Sequence, residues 1–259
     1  IFANPIFIDS DKDDWNMSPE LLESAIKDRL AINRKPKAII VVHVYGMPAK
    51  IDDIINIANN YDIPVIEDAA EALGSTYNNQ PLGVFGRFGV YSFNGNKIIT
   101  TSGGGALISQ EKEIINKAKY LATQARRNAP HYEHSDIGYN YRLSNISASI
   151  GLGQLEVLQA RVEKKREINK YYKQALDVIN DITFLEETNN SYSNYWLTTV
   201  LLSKESAIDR EQLRLHLEGS NIEARPLWKP MHLQPVFKQC KSYLNGVAED
   251  LFARGICLP

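Results

Sequence analysis

Strand-length apolar runs alternating with helical patterns through the first half of this 259-residue chain constrain its fold more tightly than any other feature. Residues 38–45 are almost continuously apolar, as expected of a strand covered on both faces. Residues 64–67, 89–93 and 105–109 predict further strands, and residues 6–8 a short one. Residues 18–30 predict a helix: Ser18 is placed to cap it, Pro19 fits the first turn, and Leu21, Leu22, Ala25, Ile26 and Leu30 form one apolar stripe. Ile51, Ile54, Ile55 and Ala58 give residues 51–60 a second stripe. Units of this kind build an α/β fold with a mostly parallel sheet between two helical layers, an α/β/α arrangement. Ligands of such sheets bind beyond the carboxyl ends of the strands. Tyr45 and Gly46, Glu67 and Asp68, and Phe93 and Asn94 all fall at those ends.

The pattern changes downstream. Residues 111–125 predict a helix, and the polar, aromatic residues 124–137 a loop. Residues 143–172 predict one long helix, with Ile146, Ile150, Leu152, Leu155, Leu158 and Val162 at helical spacing. After Asn180 the pattern becomes alternating: strands at 195–202 and from 221 to 225 flank a helix at 209–218, the makings of a smaller α+β domain. The expected division is residues 1–125 as a large domain, 126–180 as an interface loop and long helix, and 181–259 as a small domain.

Bulk properties exclude several classes. A net charge of −2 gives no electrostatic case for nucleic acid or an anionic membrane. The longest apolar runs are too short to span a bilayer. Two cysteines, Cys240 and Cys257, make no disulfide framework, so a cytoplasmic location is expected. No Cys/His spacing predicts a metal site.

Two neighbouring strand ends carry an acid and a lysine. Asp68 lies in Val65-Ile66-Glu67-Asp68-Ala69-Ala70-Glu71. Lys97 lies in Ser92-Phe93-Asn94-Gly95-Asn96-Lys97, shortly before Gly103-Gly104-Gly105. Pyridoxal 5'-phosphate (PLP) needs one group for its ring nitrogen and one for its aldehyde, and a lysine in this setting is placed to form an imine with such an aldehyde. Singly, each has a plainer reading: a helix N-cap for Asp68, a solvated surface for the lysine, a flexible turn for the glycines. The combination is far more specific.

The stretches VVHVYGMPAKIDDI, VIEDAAEALGS, GRFGVYSFNGNKIITTSGGGAL and GYNYRLSNISASIGLGQLE resemble the DegT-type sugar aminotransferases, which are fold-type I PLP enzymes. The resemblance runs over essentially the whole chain. It implies that Lys97 joins the cofactor, Asp68 holds its ring nitrogen and Ser92 its phosphate. Glu71 would meet the ring's phenolic oxygen; a surface acid in a first helical turn is an equal reading. Asn140 would reach the phosphate in the partner subunit's site, which implies a homodimer with shared active sites; an ordinary loop turn is the alternative. The family's dehydratases carry His at the position of Lys97, so the lysine implies amino transfer.

Arg225, Trp228 and His232 fall in RPLWKPMHLQP, which resembles relatives acting on UDP-linked sugars. Such side chains can stack on uracil and pair with a diphosphate; Trp228 in a Pro-braced corner of the core is the competing reading. The resemblance therefore implies transfer of an amino group, from glutamate, to the keto carbon of a UDP-linked 4-keto-6-deoxy sugar in bacterial glycan synthesis, closest to the transaminases of the UDP-N-acetylbacillosamine pathway. The other expectation is a non-catalytic regulatory or structural member of the same fold. His43 is expected to make strand contacts only. Relatives extend further at both ends, so the chain is expected to be an internal part of a longer sequence, lacking the N-terminal elements that cup the cofactor phosphate.

Overall fold

The computed structural model describes residues 3–259. The chain runs through β1 (Ile6–Ile8), α1 (Pro19–Ala31), β2 (Ile39–Val42), α2 (Ile51–Asn60) and β3 (Val65–Asp68). It continues through β4 (Thr76–Tyr77), β5 (Gln80–Pro81), β6 (Phe88–Ser92), β7 (Gly105–Ile108) and α3 (Lys112–Ala122). Next come α4 (Asn145–Glu156), α5 (Leu158–Leu176), β8 (Ile182–Phe184), β9 (Ser191–Tyr192) and β10 (Thr198–Leu202). The last elements are α6 (Arg210–Gly219), β11 (Arg225–Pro226), β12 (Lys241–Tyr243), α7 (Val247–Arg254) and β13 (Gly255–Leu258).

The expected α/β class is what the chain forms. The central sheet has the order β2-β3-β6-β7; β2, β3 and β6 are parallel and β7 is antiparallel to β6. Helix α1 begins as its sequence dictates, with Ser18 Oγ accepting from the Leu21 N–H and Pro19 in the first turn. Leu22 and Ile26 of α1 and Ile51, Ile54 and Ala58 of α2 pack on Ile39, Val41 and Val65 of the sheet. Each large side chain so buried contributes about 1.5–3 kcal/mol. The register aligns Val42, Asp68, Val90 and Leu107 in one row across the strands. Alternation puts Asp68 and Ser92 on that same face, where Ile40, Val42, Val90 and Leu107 are exposed among the described residues.

The C-terminal part builds an antiparallel sheet of order β11-β13-β10-β8. Two strand pairings tie sequence-distant parts together: β1 runs parallel to β12, and β9 pairs with β4.

Four expectations need correction, the first being the strand expected from 221 to 225, which begins only at Arg225. The strand expected over 38–45 ends at Val42; residues Val44–Gly46 form a 3-10 turn with Tyr45 left-handed at φ 59°. Tyr45 leaves the ladder because its N–H donates to Glu71 instead. The strand expected from 195 starts at Thr198, since Tyr195 is also left-handed at φ 43°. The single helix expected over 143–172 divides at Val157, whose φ −109° and ψ 8° end α4 with an i−3 bond to Gln154.

Candidate active site

Asp68 ends β3 and Lys97 follows β6, the adjacent strand. The Asp68 carboxylate accepts the Ala70 N–H at 3.1 Å, closing a turn. No helix follows it. Residues 69–75 make successive turns through Ala72 N–H to Ala69 C=O and Ser75 N–H to Ala72 C=O. Both the helix N-cap reading of Asp68 and the helical-turn placement of Glu71 are thereby corrected: the Asp68 side chain bonds the backbone two residues on, and the carbonyls that would start a helix are spent on these turns.

Glu71 points inward. One carboxylate oxygen accepts the Tyr45 N–H at 2.7 Å, and the other lies 3.5 Å from the Lys97 ammonium. Burial raises the Glu71 carboxyl above the usual carboxylate range, against the opposing pull of the Tyr45 N–H and Lys97. Lys97 is largely enclosed, with its ammonium 4.3 Å from the ring centre of Trp196. The turn before it is set by the Lys97 N–H to Asn94 C=O bond, yet Asn94, Gly95 and Asn96 are exposed.

The remaining sequence-derived residues separate into two groups. Trp228 joins the cluster: its N–H donates to the Tyr45 hydroxyl at 2.8 Å, and its ring lies 5.5 Å from Tyr45 and 6.3 Å from Trp196. Ser92 closes β6 and accepts the Asn94 N–H at 3.3 Å. Arg225 is exposed and paired with its near neighbour Glu223, and His232 pairs with Glu249 at 3.0 Å. Neither touches the Lys97 cluster. Asn140 lies exposed in the 124–144 loop, bridged by backbone to Thr123.

His43 and Glu67 form a buried pair beneath the site. The Ala49 N–H donates to His43 Nδ1, so Nε2 carries the proton donated to Glu67 at 3.2 Å. Burial opposes the Glu67 charge, yet His43 and the N–H groups of Gly86 and Gly83 hold its carboxyl below the usual range. The His43 N–H also donates to the Asp68 carbonyl at 3.1 Å.

Sequence reasoning missed two residues of this neighbourhood, Asn194 and Trp196, and placed Tyr45 at a strand end without its bond to Glu71. Tyr45 and Trp196 sit in apolar runs that read as strand, and nothing in their spacing betrays a left-handed turn or a lysine neighbour. The Ser193-Asn194 pair before an apolar strand was the available signal, since such residues favour turns that bond the backbone.

The donor set fits PLP: a partly buried carboxylate at one strand end, an enclosed amine after the next, and a hydroxyl at Ser92 between them.

Residues 2–259 match the model of the DegT/DnrJ/EryC1/StrS aminotransferase family. The chain is 52% identical over 261 residues to EpsN of Bacillus subtilis (strain 168), which carries the name of a pyridoxal phosphate-dependent aminotransferase; the match covers 99% of this chain and 67% of that protein. It is 38% identical over 257 residues to the GDP-perosamine synthase of Escherichia coli O157:H7, covering 99% and 68%. The crystal structure of a DegT DnrJ EryC1 StrS aminotransferase from Brucella abortus superimposes with a TM-score of 0.90 at 29% identity, covering 99% of this chain and 68% of that one. The chain thus spans about two thirds of the length of these relatives.

Proposed function

Because the chain belongs to the DegT/DnrJ/EryC1/StrS aminotransferase family, a family of PLP-dependent sugar aminotransferases, we propose that it moves an amino group from glutamate to the keto carbon of a UDP-linked 4-keto-6-deoxy sugar. The observation that carries this reading is the enclosed Lys97 ammonium beside Glu71, three residues past the Asp68 strand end.

In this reading Asp68 holds the ring nitrogen of the cofactor, Glu71 its phenolic oxygen and Ser92 its phosphate. Asn140 reaches the phosphate of the second subunit. Bound PLP supplies an electron sink. Lys97 takes and returns the proton at the substrate carbon, which calls for an amine held out of bulk water. Glu71 keeps that amine oriented, and the aromatic ring of Trp196 covers it.

Asp68, Glu71, Ser92 and Lys97 all fall within residues 1–125, the part read as the cofactor domain. Residues 126–180 supply the intersubunit loop and helices, and 181–259 the small domain. A homodimer is supported by α4, where Ile146, Ile150, Leu152 and Leu155 are all exposed. A cytoplasmic setting is supported by the two free cysteines, one of them buried.

The choice of UDP rests on the RPLWKPMHLQP stretch, with Trp228 beside Tyr45 and Trp196, and Arg225 and His232 taken as sugar-nucleotide contacts. GDP is the competing nucleotide, since one matched relative is named a GDP-perosamine synthase. The test is a panel of UDP-, GDP- and dTDP-linked keto sugars incubated with glutamate and PLP and read by mass. The reading expects exchange of a carbonyl oxygen for an amino group on the UDP-linked 4-keto sugar. Amination of the GDP-linked sugar alone would reverse the nucleotide assignment, and no product with any sugar would remove the reading.

A further inference from the structure

One short segment fixes both members of the Glu71–Lys97 pair. The side-chain amide of Asn194 donates to the carbonyls of Glu71 and Leu73, each at 2.9 Å. Its N–H donates to Ser75 Oγ at 2.8 Å, and Ser75 in turn donates to the Gly46 carbonyl at 2.7 Å. Ser193 Oγ donates to that same carbonyl at 3.0 Å. Ser75, Ser193 and Asn194 are all buried. The Asn194 side-chain oxygen accepts the Trp196 N–H at 2.8 Å, which fixes where that residue starts.

Trp196 then faces the lysine. Its indole N–H donates to the Asn96 carbonyl at 2.7 Å, the residue before Lys97, while its ring lies under the Lys97 ammonium. The exposed Asn94–Gly95–Asn96 turn is closed by its own Lys97 N–H to Asn94 C=O bond and by Ser92 Oγ, and the indole bond ties its last residue to the 193–196 segment.

We propose that Trp196, set in place by Asn194, is a positioning residue for Lys97. Its indole N–H anchors the turn that carries the lysine, and its ring face holds the ammonium toward Glu71. Residues 193–196 thereby set the spacing of the ion pair from both sides. A ring over an ammonium favours the cation, and a bond to a neighbouring carbonyl restricts the turn. This inference rests on the PLP reading for its catalytic meaning, but the geometry can be tested without the cofactor.

The test compares wild type, Trp196→Phe and Trp196→Leu by amine-labelling kinetics with trinitrobenzenesulfonate on cofactor-free protein, followed by peptide mass. Lys50, held by Asp11 and Asp13 far along the chain, serves as the internal reference. Labelling of Lys97 relative to Lys50 should rise about fivefold in Trp196→Leu. Trp196→Phe, which keeps a ring but no N–H donor, should fall between the two. Capture of PLP at Lys97, trapped with borohydride, should slow in the same order. If Trp196→Leu fails to fold, the Trp196→Phe comparison decides. Unchanged relative labelling in the variants, or Lys97 and Lys50 rising in step, would reduce Trp196 to an ordinary core residue and overturn the proposal. Wild-type protein that captures no PLP would instead overturn the functional reading and leave the labelling result standing.

Discussion

The Lys97 ammonium stands 3.5 Å from the Glu71 carboxylate, and the opposite oxygen of that carboxylate is fixed by the Tyr45 N–H. A buried charge pair of this kind costs desolvation on both sides and is weak evidence for stability. Its value lies in orientation. Glu71→Gln keeps an acceptor for the Tyr45 N–H and removes the charge facing the lysine. We expect turnover to fall by about 10–100-fold, with an unfolding temperature equal to or above that of wild type. Loss of both activity and stability would argue that Glu71 is structural.

Asp68 presents a different expectation. It ends a strand whose backbone is held on both sides, with His43 N–H on its carbonyl and the Ala69 N–H on the carbonyl of Val90. Asp68→Asn should fold normally and retain some PLP. Its kcat should fall by several orders of magnitude, on the order of other losses of a central catalytic group. A near-normal kcat in steady-state assays would contradict the assignment.

The His43–Glu67 pair supports this strand end from below. Glu67 accepts from His43, Gly83 and Gly86 with no solvent exposure. In Glu67→Gln the new amide hydrogens face donors. The loss should be about 3 kcal/mol, read as a lowered urea midpoint. A midpoint within error of wild type would show that the pair is dispensable.

Gly46 should tolerate no side chain. Its φ is +85°, and an added Cβ would overlap Asn194 Oδ1. Gly46→Ala should cost at least about 2 kcal/mol. It should also shift the fluorescence of Trp196, because the bonds of Asn194 to Glu71 and Trp196 would be disturbed. Destabilisation without any fluorescence change would separate the backbone strain from the Asn194 connection.

Asp14 makes stability depend on pH. It is fully buried, accepts the N–H groups of Asn16 and Lys50, and burial pushes it up to about 7. Below the unfolded value of 3.8 it is protonated folded or unfolded. Between there and about 7 the folded chain holds a proton that the unfolded chain has released. Its contribution is therefore lost as pH rises through that window, by at most about 1.4 kcal/mol per pH unit. Urea midpoints measured at pH 5, 6 and 7 should decline for wild type and flatten for Asp14→Asn. Parallel profiles would rule the assignment out.

The sequence carried the fold well where periodicity decides it. Helix α2 runs over the residues its apolar stripe marks, and β3 and β6 agree within a residue at each end. The misses occur where a side chain or backbone group found a tertiary partner that outweighed local preference. Tyr45 abandons β2 to bond Glu71, and Tyr195 turns left-handed where Ser193 Oγ takes its N–H. The site shows the same split. Asp68 and Lys97 could be named from spacing, because their positions follow strand ends, whereas Glu71 came from the family resemblance and the helical turn expected for it is replaced by successive turns. Trp196 could not, because its closeness to Lys97 depends on bonds made by Asn194 to residues 121 and 123 positions away.

The most direct test of the account is the site of cofactor capture. Protein incubated with PLP, reduced with borohydride and digested should yield one phosphopyridoxyl-bearing peptide, modified at Lys97. A label on another lysine, or a folded protein that takes none, would contradict the central claim.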